Sequence, residues 1–107
     1  MSNTNSFRLI GNVGNELKLE QGNGKTYTRI RLAENYSVKT GDTWEDRTNW
    51  FDIVVFGKRA EALVANLKKG RQICISGRMG LRHQEVAGGL RSSISLFGEE
   101  VTFLGKA

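Results

Sequence analysis

The feature that most constrains the fold is a strand pattern that passes directly into a helical one near the middle of the chain. Residues 49–56 alternate at a period of two, and the apolar set is Phe51, Ile53 and Val55. The opposite face carries Trp50, Asp52, Val54 and Phe56. A core covers only one face, so the rings on the other face are either covered by another subunit or available to a flat ligand.

A helical pattern follows Gly57 at once. Its apolar residues have the spacing of an amphipathic helix of about three turns, and they are Ala60, Leu63, Val64 and Leu67. Lys68 and Lys69 suit the negative end of the helix dipole. Gly70 is well placed as the left-handed residue that ends the helix.

Alternation also predicts strands on both sides of this unit. They lie at residues 7–13, 25–33, 71–79 and from 90 to 96, with a short continuation at 101–104 after a break at 98–100. Residues 21–24 have the composition of a turn. We interpret residues 34–48 as a long, partly mobile hairpin and residues 82–91 as a glycine-containing loop.

The order of three strands, one helix and two strands predicts an all-β fold. Gly11 and Gly14 suit the bends of a strongly curled sheet. We therefore expect a five-stranded OB-fold barrel with one helix between strands 3 and 4. A helix packed on an open sheet is the alternative. The length of 107 residues predicts a single OB-fold domain over residues 1–107.

Composition argues against several classes of protein. The sequence lacks a long apolar run, and residues 1–6 lack the pattern of a signal peptide, so we expect a cytoplasmic protein with no membrane partner. Cys74 is the single cysteine and His83 the single histidine. No internal disulfide, metal site or cofactor is therefore expected.

The net charge of +5 is unevenly distributed. Residues 58–82 contain seven basic residues and one acid, whereas the rest of the chain sums to −1. A basic segment of this kind favours a polyanion partner. An ordinary solvated surface is the other interpretation, and charge alone does not separate DNA, RNA and an acidic membrane.

Rings and cations are what a single-stranded nucleic acid requires, because bases stack on π-faces and phosphates pair with cations. Trp50 and Phe56 lie on one face of one strand, roughly 20 Å apart at about 3.3 Å per residue. The candidate stacking residues are Trp50, Phe56, Trp44, Tyr36 and Tyr27. The candidate phosphate contacts are Lys58, Lys69, Arg71, Arg78, Arg82, Arg29 and Arg31. For each ring the competing interpretation is packing in the core or at an interface, and for each cation it is a solvated side chain.

Catalytic constellations are absent from the sequence. Residues 24–26 are similar to the end of a phosphate-binding loop, but Leu19 stands where that motif needs glycine, and a strand follows instead of a helix. His83 has no acid or nucleophile beside it in the pattern. Cys74 is interpreted as an ordinary reduced thiol. We do not expect an enzyme.

The chain resembles the bacterial-type single-stranded DNA-binding protein family over nearly its whole length. The matching segments are Leu9–Gly14, Leu32–Ala33, Thr48–Trp50, Val54–Lys58, Ala60–Glu61 and Leu67–Gly70. The resemblance implies a homo-oligomer, usually a tetramer, that coats single-stranded DNA with little sequence preference in replication, recombination and repair. It also implies stacking by Trp50 and Phe56 and a phosphate contact by Lys58.

Departures from the family pattern affect both binding and partners. Val38 and Gln84 stand where family members usually have rings, and Phe51 replaces a common histidine. The sequence given ends at Ala107 without a flexible linker or an acidic tail that recruits replication proteins. On this basis the chain is expected to be a short, tailless member from a bacterium, plasmid or phage, associated with the nucleoid.

Two other functions remain open from the sequence. One is an interaction module of the primosome type, possible also as a dimer, which binds single-stranded DNA weakly and loads a partner protein. The other is an RNA-binding OB-fold, since stacking does not detect the 2′-hydroxyl. Our principal hypothesis is non-catalytic binding of single-stranded DNA by aromatic stacking and basic phosphate contacts.

Overall fold

Six strands and one helix make up the computed structural model, which describes residues 3–105. The strands are β1 (Phe7–Val13), β2 (Glu20–Gly22), β3 (Lys25–Thr40), β4 (Thr43–Phe56), β5 (Gln72–Val86) and β6 (Gly89–Phe103), and α1 is Gly57–Asn66. The prediction of an all-β fold with one helix after the third long strand is confirmed. Met1, Ser2, Lys106 and Ala107, which bear on the expectations about a leader and a tail, lie outside the described residues.

The strands follow the order β1-β5-β6-β4-β3-β2 in one sheet. An additional antiparallel pairing joins β1 to β3 through Asn12↔Ala33 and Val13↔Leu32, which closes five of the strands into a ring. Most neighbours are antiparallel, whereas β4 and β6 run parallel where Ile53 and Val54 meet Leu96 and Phe97. Every strand of the ring therefore has one inner and one outer face.

The core fills the inside of this ring and the space beneath α1. Its buried residues are Val13, Ile30, Leu32, Ile53, Val55, Ala60, Leu63, Leu67, Ile73 and Ile75. The strand residues among them occupy alternate positions, so the inner face matches the alternation in the sequence. Burial of each large aliphatic side chain stabilises the fold by about 1.5–3 kcal/mol. The predicted inward set is confirmed, since Ile53 and Val55 are buried and Phe51 is partly buried against the core.

Residues 34–48 form a hairpin, as predicted, but its two arms are regular paired strands. Residues 82–91, predicted as a loop, also belong largely to paired strands, so that prediction is wrong. β3 and β4 stay paired from Tyr27↔Phe56 to Thr40↔Thr43, and β5 and β6 stay paired to Val86↔Gly89. Both hairpins extend past the core. Along the outer part of β3–β4 the side chains are mostly polar on both faces, so alternation of apolar and polar residues disappears there, while backbone pairing continues.

The helix ends earlier than predicted. Its last residue is Asn66, and Leu67 is the C-cap, with its N–H donating to the Leu63 carbonyl at 2.7 Å. Gly70 does adopt a left-handed conformation (φ +94°), but it does so in the turn that leads into β5. Its N–H donates to the Val13 carbonyl at 2.7 Å, so Gly70 connects this turn to β1 rather than ending α1.

The predicted break at residues 98–100 is a bulge within one continuous strand. Ser76 pairs with Glu100 and Gly77 with Gly98, which leaves Glu99 as the extra residue of β6. Of the predicted turn at residues 21–24, the first two residues belong instead to the short strand Glu20–Gly22. Within residues 3–105, no helix is long and apolar enough to cross a membrane.

Candidate nucleic-acid interface

Three aromatic rings form a row across the outer face of the sheet. Tyr27 on β3 stands opposite Phe56 on β4, with ring centroids 6.1 Å apart and planes tilted by 55°. Phe97 on β6 lies 6.0 Å from Phe56, at 27° between planes. Because Tyr27, Phe56 and Phe97 occupy three adjacent strands, the ring row runs across the strands rather than along them.

Cations accompany the ring row. The Lys25 ammonium lies 5.5 Å from the centroid of the Phe56 ring, and the Arg29 guanidinium lies 5.7 Å from that of Tyr27. Arg29 also approaches Glu20 at 3.8 Å, but both side chains are exposed, so this ion pair is weak. The ring row thus combines π-faces with positive charge, the two chemistries that single-stranded nucleic acid requires.

Trp50 forms a second aromatic position on the same outer face. Its side chain is half exposed, and the Arg31 guanidinium lies 4.7 Å from its ring centroid. Gly14 lies against the edge of this ring, where a Cβ would stand only 2.5 Å from Cζ3 of Trp50. Absence of a side chain at Gly14 therefore lets the indole lie close to the backbone while one half stays open to solvent.

Asn15 fixes the part of β3 from which the two arginines project. Its Nδ2 donates to the Arg29 carbonyl at 3.0 Å, and its Oδ1 accepts from the Arg31 N–H at 2.9 Å. The Gly14 N–H donates to the Arg31 carbonyl at 2.7 Å. These bonds replace a neighbouring strand on this edge of β3, so the guanidiniums start from a well-defined backbone.

The β3–β4 hairpin places its two predicted rings on opposite faces. Trp44 has the same parity along β4 as Trp50 and is 68% exposed near the tip. Tyr36 pairs with Arg47, whereas the neighbouring pairs Ser37–Asp46 and Asn35–Thr48 occupy the Trp50 face. Of the five predicted stacking residues, Trp50, Phe56, Tyr27 and Trp44 therefore share a face, and Tyr36 lies on the other.

The predicted phosphate contacts are spread more widely. Lys58 is exposed in the first turn of α1, two residues after Phe56, and Arg78 stands opposite Phe97 on β5. Arg82 lies farther out on the β5–β6 hairpin, and Lys69 lies in the turn before β5. Arg71 donates from Nε to the Leu104 carbonyl at 2.8 Å and lies over Phe103, about 23 Å along β5 from Arg78 at 3.3 Å per residue.

Sequence reasoning missed three residues of this face: Phe97, Lys25 and Arg59. The alternation of Ile94 and Leu96 already implied an outward position for Phe97, so that signal was available. Lys25 was interpreted only as the first residue of a strand after a turn. The position of Arg59 depends on how α1 sits beside β6, which no local pattern reveals.

Comparison with known proteins identifies the same family that the sequence motifs resemble. The model of the single-strand binding protein family matches residues 4–104. The single-stranded DNA-binding protein of Treponema pallidum is 30% identical over 106 residues, 98% of this chain and 60% of the relative. That of Borreliella burgdorferi is 34% identical over 100 residues, 91% of this chain and 67% of the relative. These matches confirm the resemblance to the family, although the chain spans only part of both relatives.

Solved structures share the fold. A Plasmodium falciparum SSB complex with ssDNA superposes with a TM-score of 0.78 at 22% identity, covering 98% of each chain. The small single-stranded DNA-binding protein from Streptomyces coelicolor gives a TM-score of 0.72 at 21% identity, covering 95% of each chain. At these identities the likeness establishes a common architecture.

Proposed function

This chain belongs to the single-strand binding protein family, and we propose that it binds single-stranded DNA without catalysis and with little sequence preference. The observation that carries the proposal is the ring row of Tyr27, Phe56 and Phe97, with Trp50 farther along β4. Cations lie over the rings of Tyr27, Phe56 and Trp50. Each base presents a π-face, so such a surface accepts any sequence.

The arrangement favours a flexible single strand over a duplex. In a duplex the bases are stacked on one another and unavailable, whereas an unpaired strand turns its bases toward the protein. Phe56 and Trp50 are separated by roughly 20 Å along β4 at 3.3 Å per residue, so they would engage different bases of one strand. Cations beside the rings would contact the intervening phosphates, which makes the affinity depend on salt.

The two tryptophans offer a direct test of where the DNA lies. A Trp44→Phe variant leaves Trp50 as the single indole, and Trp50→Phe leaves Trp44. Titration with an oligo-thymidine should quench the fluorescence of Trp50 strongly, and binding should weaken as salt is raised. Absence of binding by the wild-type protein, checked independently by anisotropy, would refute the proposal. Competition by RNA of equal length would separate a DNA binder from an RNA binder.

We extend the proposal to a homo-oligomer, in which a second copy covers the apolar face of the β5–β6 hairpin. That face, which we call the aliphatic hairpin face, consists of Met79, Leu81, Leu90, Ile94 and Leu96. Leu81 is 67% exposed, Ile94 63% and Leu90 75%, a costly surface to leave in water. A two-fold pairing would bury it symmetrically. A tetramer is the state that the family resemblance favours, and a dimer also fits this contact.

Coating of single strands serves replication, recombination and repair, which expose such strands. Since the relatives described above from Treponema and Borreliella are bacterial, we place this activity at the nucleoid in a bacterial cytoplasm. Light scattering combined with size exclusion will give the oligomeric state, and a monomer at micromolar concentration would overturn the assembly part of the proposal while leaving DNA binding intact.

A further inference from the structure

A cleft of about 300 Å³ opens at the β6 end of the ring row. It is lined by Phe56, Arg59, Arg78, Phe97, Gly98 and Glu99. Four elements meet there: the end of β4, the first turn of α1, and β5 and β6 where the bulge lies. The cleft brings two aromatic rings and two guanidiniums together, a combination that the row of Tyr27 and Phe56 alone does not have.

The Phe97 ring is held against the sheet by the absence of a side chain at Gly80. A Cβ at Gly80 would stand 2.9 Å from Cε2 of Phe97 and 3.8 Å from two further ring atoms. The ring therefore lies over Gly80, with Phe56 at 6.0 Å on its other side. Any larger residue at position 80 must displace the ring, so Gly80 is a positioning residue for Phe97.

The two arginines of the cleft are not engaged in ion pairs. Among residues 3–105 the ion pairs within 4 Å are Arg29–Glu20 and Arg47–Glu45, and neither involves Arg59 or Arg78. Both side chains belong to exposed residues. Their charges are therefore available to a ligand, and the single carboxylate of the cleft, Glu99, does not neutralise them.

We infer that this cleft is a nucleotide subsite in which Phe97 stacks a base, Arg59 and Arg78 contact the adjoining phosphate, and Gly80 sets the position of the Phe97 ring. The inference rests on the proposed single-stranded DNA binding. The subsite extends the stacking surface from β4 onto β6. A bound single strand of DNA that follows the ring row would therefore turn toward α1 rather than continue along β4. Glu99 would then lie beside the bound nucleotide.

The stacking part of the subsite is tested with a fluorescently labelled oligo-thymidine and anisotropy titrations. Phe97→Leu keeps an apolar side chain but removes the π-face, and it should weaken binding about fivefold or more, the range of a single base stack. Phe103→Leu is the matched control, since Phe103 is an exposed ring on the same strand that lies near Arg71 instead. It should bind as the wild type does.

The role of Gly80 is tested by combining two substitutions. Gly80→Ala should weaken binding because its Cβ displaces the Phe97 ring. If Gly80 acts through Phe97, the double variant Gly80→Ala/Phe97→Leu will bind no more weakly than Phe97→Leu alone. A fully additive loss would show that Gly80 acts in another way and would overturn its positioning role. Thermal unfolding of each variant verifies that the fold is retained.

The phosphate contacts are tested by the dependence of affinity on salt. Arg59→Gln and Arg78→Gln should each lower the slope of log K against log salt by about 0.7, the value for one phosphate of a single strand. Arg8→Gln is the control, because Arg8 is exposed on β1, across the ring from the β4–β6 contact. An unchanged slope in both variants would overturn the phosphate assignment.

The outcomes separate the subsite from the function on which it rests. If the wild type binds and Phe56→Leu weakens binding while Phe97→Leu does not, the subsite is refuted and the proposed function stands. If the wild type fails to bind oligo-thymidine at low salt, the proposed function is refuted and the subsite with it.

Discussion

The two long hairpins have the same backbone design but different surfaces. The outer part of β3–β4, residues 34–49, and the outer part of β5–β6, residues 80–95, both continue as paired strands past the core and end at left-handed glycines, Gly41 and Gly88. The first carries a net charge of −2 and the second +1. Backbone pairing therefore stabilises both hairpins, so the side chains of the two can differ in chemistry.

Side-chain contacts make the contrast specific. The β3–β4 hairpin is cross-linked by polar pairs on both faces, Ser37–Asp46 and Asn35–Thr48 on one and Glu34–Asn49 on the other. The β5–β6 hairpin has the aliphatic hairpin face on one side and arginines with serines on the other. The polar side chains of the β3–β4 hairpin are hydrogen-bonded to one another and suit exposure to water. The aliphatic hairpin face, by contrast, gains from contact with another protein surface. In the proposed homo-oligomer, β5–β6 rather than β3–β4 would therefore be the assembly element.

The largest effect is expected from the double variant Leu81→Ser/Ile94→Ser. If a second copy covers these side chains, their removal costs the association about 3–6 kcal/mol, from about 1.5–3 kcal/mol for each buried aliphatic residue. Light scattering should show a smaller species at micromolar concentration. Val38→Ser/Trp44→Ser in the other hairpin is the control and should leave the mass unchanged. Dissociation by the control instead would reverse the assignment of the two hairpins.

The second prediction compares the base of β3–β4 with its tip. Trp50→Ala should weaken binding of oligo-thymidine by about 1–3 kcal/mol, the contribution of one stacked base. Trp44→Ala should cost less than that, because Trp44 projects from a hairpin whose negative charge repels phosphates. Anisotropy titrations of both variants at one salt concentration provide the measurement. Equal losses would mean that the strand follows the hairpin to its tip.

Sequence alone predicted the inner half of the molecule well. Phe51, Ile53 and Val55 alternate because they must be buried, and Trp50 and Phe56 were expected on the other face, where they are found. Buried positions on such a strand recur at every second residue, and this apolar period can be recognised in the sequence. The same logic explains why residues 34–48 were predicted as a partly mobile hairpin rather than as two long strands, since a hairpin that is solvated on both faces leaves no period to detect.

Individual residues of the candidate face could be predicted from the sequence, but the way in which they lie next to one another could not. Trp50, Phe56 and Tyr27 were identified from parity, yet the row through Phe97 depends on the parallel contact of β4 with β6, a long-range pairing. The same holds for Tyr36, whose face follows from its partner Arg47 across the hairpin. Register between strands thus decides which rings meet, and register is a property of the closed sheet.

The third prediction concerns one arginine on each hairpin. Arg82→Gln should reduce the slope of log K against log salt by about 0.7 if Arg82 contacts one phosphate. Arg47→Gln is its counterpart, and it should leave the slope unchanged because Arg47 is paired with Glu45 at 3.1 Å in an acidic hairpin. Titrations at four salt concentrations give both slopes. A lower slope for Arg47→Gln would place DNA on the β3–β4 hairpin.

The smallest effect is expected from Ser37→Ala, which removes the bond that Ser37 Oγ donates to Asp46 Oδ1 at 2.8 Å. The bond is exposed, so water replaces it, and the free energy of unfolding should fall by no more than about 0.5 kcal/mol. Amide hydrogen exchange is the sharper measurement, because it reports opening of the hairpin itself. Protection of the amides on both sides of the 37–46 pair should persist. Loss of this protection would mean that side-chain hydrogen bonds, rather than backbone pairing, hold β3 and β4 together beyond the core. The two hairpins would then differ in the interactions that stabilise them as well as in the side chains on their surfaces.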